Sequence, residues 1–135
     1  MSTRTIICGI LLALGTWLGA RSPVGMSKEE VKAWMKEEQR EFRLDNTVIR
    51  QRFNYLKYVN RLKTKTWILY FTDEDICKTS KLVCDYMEYD QMVEMLNGKY
   101  REAGEMQWEY SSGDDLIKVE LIKQEWYFTI RETKK

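Results

Sequence analysis

The sequence predicts an α+β domain: an N-terminal helical region packed on a five-stranded, mostly antiparallel sheet, with a short helix inserted between the second and third strands. Three observations predict it. Ser27 and Glu30 form a capping box that opens an apolar stripe at helical spacing. Dense β-branched and aromatic residues begin at Thr66. From Met106 to Ile130, apolar and polar positions alternate over three successive runs.

The chain begins with Arg4 ahead of an apolar run from Thr5 to Ala20, closed by Arg21. This run is shorter and richer in glycine than a membrane span of about 20 apolar residues. It has the charged and apolar regions of an export signal. Cleavage after Ala20 places Leu18 at a position where signal peptidases prefer a small residue. Residues 1–25 are therefore expected to be an export leader or an uncleaved N-terminal anchor, and residues 26–135 a single globular domain. A start at Met26 is also coherent, because a helix cap follows it directly.

Val31, Met35, Phe42, Ile49, Phe53 and Leu56 recur at steps of three, four and seven, the signature of an amphipathic helix. The spacing predicts helix from Ser27 to Lys65, as one long helix or as two meeting at Asp45–Thr47. A central strand is expected over Thr66–Thr72, where Trp67, Ile68, Leu69, Tyr70 and Phe71 are apolar on both faces. Asp73, Glu74 and Asp75 end it. A second strand is expected over Lys81–Met87 and a short helix over Asp90–Leu96, with Gly98 as its left-handed terminator. Met106, Trp108 and Tyr110, then Ile117, Val119 and Leu121, then Trp126, Phe128 and Ile130 predict a three-stranded meander.

Composition narrows the chemistry. There is no His, which removes imidazole acid–base relays and the usual histidine-bearing catalytic zinc sites. Gly98, Gly104 and Gly113 are isolated turn residues and not a phosphate cradle. The acidic turns Asp73–Asp75 and Asp114–Asp115 lack the spacing of a calcium loop. No cofactor is implied. Cys77 and Cys84, six residues apart, are expected to form a disulfide in an exported protein. Without a His base neither is expected to act as a nucleophile.

Charge is uneven. Ser27–Thr66 holds eleven basic against six acidic residues, and Trp67–Lys135 nine against fifteen. Arg50, Arg52, Lys57 and Arg61 are expected on the basic face of the helical region, where an anionic membrane surface is one partner. The near-neutral total and the export leader argue against nucleic acid. Trp67, Tyr70, Trp108, Tyr110, Trp126 and Tyr127 are numerous for so small a sheet, and Trp and Tyr dominate binding energetics where exposed. The expected function is a non-enzymatic exported or envelope protein binding another protein or a small apolar ligand through these aromatics. Alternatives are a membrane-tethered accessory subunit with a basic juxtamembrane helix, and a small carboxylate-dependent hydrolase.

Overall fold

A computed structural model describes residues 21–46 and 53–135. The capping box forms as expected: the Ser27 hydroxyl accepts from the Glu30 amide, and the Glu30 carboxylate accepts from the Ser27 amide. Helix α1 (Lys28–Glu38) starts there. It is followed by β1 (Phe42–Leu44), β2 (Tyr55–Asn60), β3 (Lys65–Phe71) and β4 (Cys77–Asp85). A 3-10 turn (Tyr86–Glu88) leads into helix α2 (Tyr89–Lys99), and β5 (Arg101–Gly104), β6 (Gln107–Ser112), β7 (Asp115–Lys123) and β8 (Tyr127–Lys134) complete the chain. The eight strands form one antiparallel sheet in the order β1-β2-β3-β4-β8-β7-β6-β5. Each half is thus a helix followed by a four-stranded meander, and the halves join where β4 pairs with β8.

The five-stranded fold with a long N-terminal helical region is therefore corrected. Its five strands correspond to β3, β4, β6, β7 and β8, and three more exist. The helix stops at Glu38, and Tyr55–Asn60 is a strand with Leu56, Tyr58 and Asn60 buried in alternation. The sparse stripe misled because its steps of seven fit helical spacing without filling a helical face. The local residues Tyr55, Tyr58 and Val59 prefer an extended backbone. Pairing with β3 decides the outcome, with Leu56 opposite Leu69 and Tyr58 opposite Trp67. The hairpin turn is held by Asn60, whose Oδ1 accepts from the amides of Thr64 and Lys65 at 2.9 Å. β5 is exposed throughout and carries no apolar alternation, so it left no pattern to find. Gly98 lies inside α2, and the Tyr100 amide closes that helix on the Leu96 carbonyl. Its expected left-handed terminator role is also corrected.

Register sorts the side chains onto two faces. Phe42, Tyr58, Trp67, Leu82, Ile130, Val119 and Trp108 share the face that the helices cover. The core on this face is split. One cluster gathers Val31, Trp34 and Met35 of α1 over β1–β4, and the other gathers Met92 and Leu96 of α2 over β6–β8. Leu82 touches both. A geometric reason underlies the split. Eight strands spaced about 4.8 Å apart make a sheet roughly 34 Å wide. Two helices each about 10 Å across leave part of that width uncovered.

Ser22, Pro23 and Val24, which the sequence suggests as a leader junction, are buried in the fold. The Ser22 amide donates to Ser112 Oγ, and the Gly25 amide to the Cys77 carbonyl. The apolar run Thr5–Ala20 lies outside the described residues. No helix among the described residues is long and apolar enough to cross a membrane.

The expected disulfide does not form. Cys77 and Cys84 are free and buried at opposite ends of β4, roughly 20 Å apart along the strand, whereas a bridge needs Cα atoms within about 7 Å. A β-bulge between Tyr70 and Phe71 shifts the pairing there, and both cysteines contribute to the helix-side core. Burial pushes each thiol up to about 12, so neither is a thiolate near neutrality. Iodoacetamide is expected to leave both unlabelled in native protein and to label both after unfolding. Peptide mapping checks this, and a Cys77–Cys84 crosslinked peptide would refute the separation.

Candidate functional site

The uncovered seam between the two cores is a cavity of about 300 Å³, at the lower end of small-ligand pockets. Helix α2 lines it with Met92, Met95, Leu96 and Lys99, spaced so that they share one helical face. Opposite stand Trp34 of α1 and Phe42 of β1, and the sheet supplies Trp67, Leu82, Ile130, Tyr110 and Glu132. Trp67 is fixed by edge-to-face contacts with Trp34 at 5.5 Å and Phe42 at 5.1 Å. Its Nε1–H donates to Ser80 Oγ at 2.7 Å. Met95 keeps some exposure at the rim, and methionine side chains adapt to the shape of what they contact.

Glu132 is the chemical centre. On β8 it follows Phe128 and Ile130 at alternate positions, so strand geometry turns it toward the helices. The Tyr110 hydroxyl and the Ser22 hydroxyl both donate to Glu132 Oε1, the latter at 3.0 Å. The other oxygen, Oε2, accepts no hydrogen bond among the described residues. Burial raises the carboxyl above its usual range, against the opposing pull of its two hydroxyl donors and the Lys99 charge. Tyr110 stacks on Tyr100 with centroids 4.1 Å apart and planes 10° from parallel. Burial and the Glu132 charge raise both phenols, so both remain protonated donors.

At the rim, Arg21 pairs with Glu38 at 3.8 Å, and Lys65 with Glu88 at 3.6 Å and Glu41 at 3.9 Å. These pairs offset one another's charge, so the polar focus is inside the cavity.

The expected aromatics do not form one surface. Trp67 and Tyr110 enter the cavity, whereas Trp108 is buried in the α2-side core with its Nε1–H on Asn97 Oδ1 at 2.9 Å. Tyr70 is on the face opposite α1 and α2, and Trp126 and Tyr127 are exposed at one end of the sheet. The basic helical face is replaced by a hairpin. Lys57 is on the face opposite α1 and α2, paired with Asp45 at 3.2 Å, and Arg61 is in the β2–β3 turn. Arg50 and Arg52 lie outside the described residues. Glu132, Ser22 and Tyr100 were missed. Only Glu132 left a signal, as an acid in phase with the apolar alternation of its strand. Comparison with known proteins finds no matching family model, no matching curated protein and no matching solved structure.

Proposed function

We propose that the protein is a non-enzymatic binding module that holds a small, largely apolar molecule between α1, α2 and the sheet. One ligand hydroxyl or N–H donates to Glu132. The observation that carries this reading is the Glu132 carboxyl, with one oxygen unpartnered among the described residues, in the lining of an indole- and methionine-walled cavity. Apolar walls supply affinity, and a single buried acceptor orients the guest, because leaving that acceptor unpaired costs about 1–3 kcal/mol. N-phenyl-1-naphthylamine, which has apolar rings and one N–H, is a suitable probe. Its fluorescence is expected to rise saturably with one site per chain. Met95→Trp, which fills the rim without touching the deeper core, is expected to abolish the rise while leaving the melting temperature near wild type. Equal binding by the variant would place the probe elsewhere and sink the reading.

A second reading, contact with an anionic membrane surface, is favoured by one end of the sheet. The β2–β3 turn, the 3-10 turn and the β7–β8 turn lie together there, since the Asp85 amide bonds the Thr64 carbonyl and Tyr86 bonds the Gln124 carbonyl. They carry Leu62, Met87 and Trp126, exposed by 76%, 75% and 80%. Arg61, Lys63 and Lys123 stand among them, with Asp85 and Glu125. Exposed apolar tips beside basic residues suit the headgroup region. Co-sedimentation with phosphatidylserine vesicles that is lost in Trp126→Ser with Met87→Ser supports this reading, and equal sedimentation refutes it.

A further inference from the structure

The face of the sheet opposite α1 and α2 holds a second groove, of about 300 Å³. At its middle, Lys81 of β4 and Arg131 of β8 are direct cross-strand partners. Like charges placed opposite one another in an antiparallel pair repel. Neither has an ion-pair partner among the described residues: Lys57, further along the row, pairs with Asp45, and Glu120, the direct cross-strand partner of Arg131 on β7, pairs instead with Lys118 at 3.8 Å. Tyr70 is one row away on one side of the two cations, and Ile122 and Thr129 are one row away on the other.

The geometry points to a binding site for an organic phosphate, a phosphate monoester carried on an aromatic or apolar body. A dianionic head placed between Lys81 and Arg131 turns their repulsion into two attractions. The guanidinium presents a planar fork that matches phosphate oxygens, and the ammonium adds a point charge. Thr129 lines the same groove, and so does Tyr70, whose ring is the aromatic contact for the body of the ligand. This site is separate from the cavity around Glu132, because the two are on opposite faces of the sheet.

Phenyl phosphate and inorganic phosphate at pH 8 are the probes, followed by phosphorus NMR titration and by the shift in melting temperature. Saturable binding of phenyl phosphate is expected, tighter than that of inorganic phosphate. Lys81→Gln and Arg131→Gln are each expected to weaken it about tenfold, the scale of one charge-assisted hydrogen bond. Tyr70→Ala is expected to erase the preference for phenyl phosphate. Lys81→Gln removes a repulsion, so without ligand it should melt no lower than wild type, which keeps its binding result interpretable. No saturable binding, unchanged affinity in both glutamine variants, or equal affinity for the two phosphates would overturn the assignment.

Discussion

Trp67→Ala is expected to lower the unfolding free energy by about 3–5 kcal/mol, the range for removing a packed aromatic from a core. Trp67 is 8% exposed, sits between Trp34 and Phe42, and is the residue on which α1 meets β3. Its removal also leaves the buried Ser80 hydroxyl without its indole donor. Trp67→Phe keeps a ring and loses the N–H, so its cost should be smaller. Trp126→Ala is the informative contrast: at 80% exposure it should change stability by less than about 0.5 kcal/mol. Urea unfolding monitored by far-UV circular dichroism measures all three. Equal losses at Trp67 and Trp126 would contradict the packing described.

The second large effect is a pH dependence set by Glu132. Burial raises its native pKa above the unfolded value, so within that interval the native state binds more protons than the unfolded state. The contribution to stability is therefore fully present below the ordinary carboxylate range. It declines as pH rises from about 4.5 until the native carboxyl itself ionises. Glu132→Gln retains an oxygen to accept from Tyr110 and Ser22 and carries no ionisable proton. Its unfolding free energy is expected to lose this decline, and above neutrality to equal or exceed that of wild type. Urea unfolding from pH 4 to 9 tests the point. Parallel profiles for the two proteins would show that Glu132 ionises normally. A ligand that donates to Oε2 stabilises the carboxylate, so the probe should flatten the wild-type profile.

Legibility in the sequence followed the range of the interactions. The Ser27–Glu30 box was readable because both partners lie within one turn of backbone. Strands β6, β7 and β8 were readable because alternation is local, and β3 because its β-branched and aromatic residues follow one another directly. β2 was misread because Leu56 fits a seven-residue step as well as an alternate one, and only Leu69 across the hairpin distinguishes them. Trp67 and Trp126 occur in equally aromatic contexts and end at opposite extremes of burial, since one is inside a strand under a helix and the other is in a turn. The cysteine pair looked bridgeable from a short spacing. An unbroken strand between the two holds them apart.

By itself the sequence determined the absence of imidazole chemistry, the start of α1 and the two-faced character of the C-terminal strands, all consequences of composition or of neighbours a few residues apart. The tertiary structure alone decided that β4 and β8 would join two meanders into one wide sheet. Two short helices leave a seam on that sheet. Ser22, Tyr110 and Glu132, separated by up to 110 residues, meet there because burial and strand register brought them together and no local pattern records that.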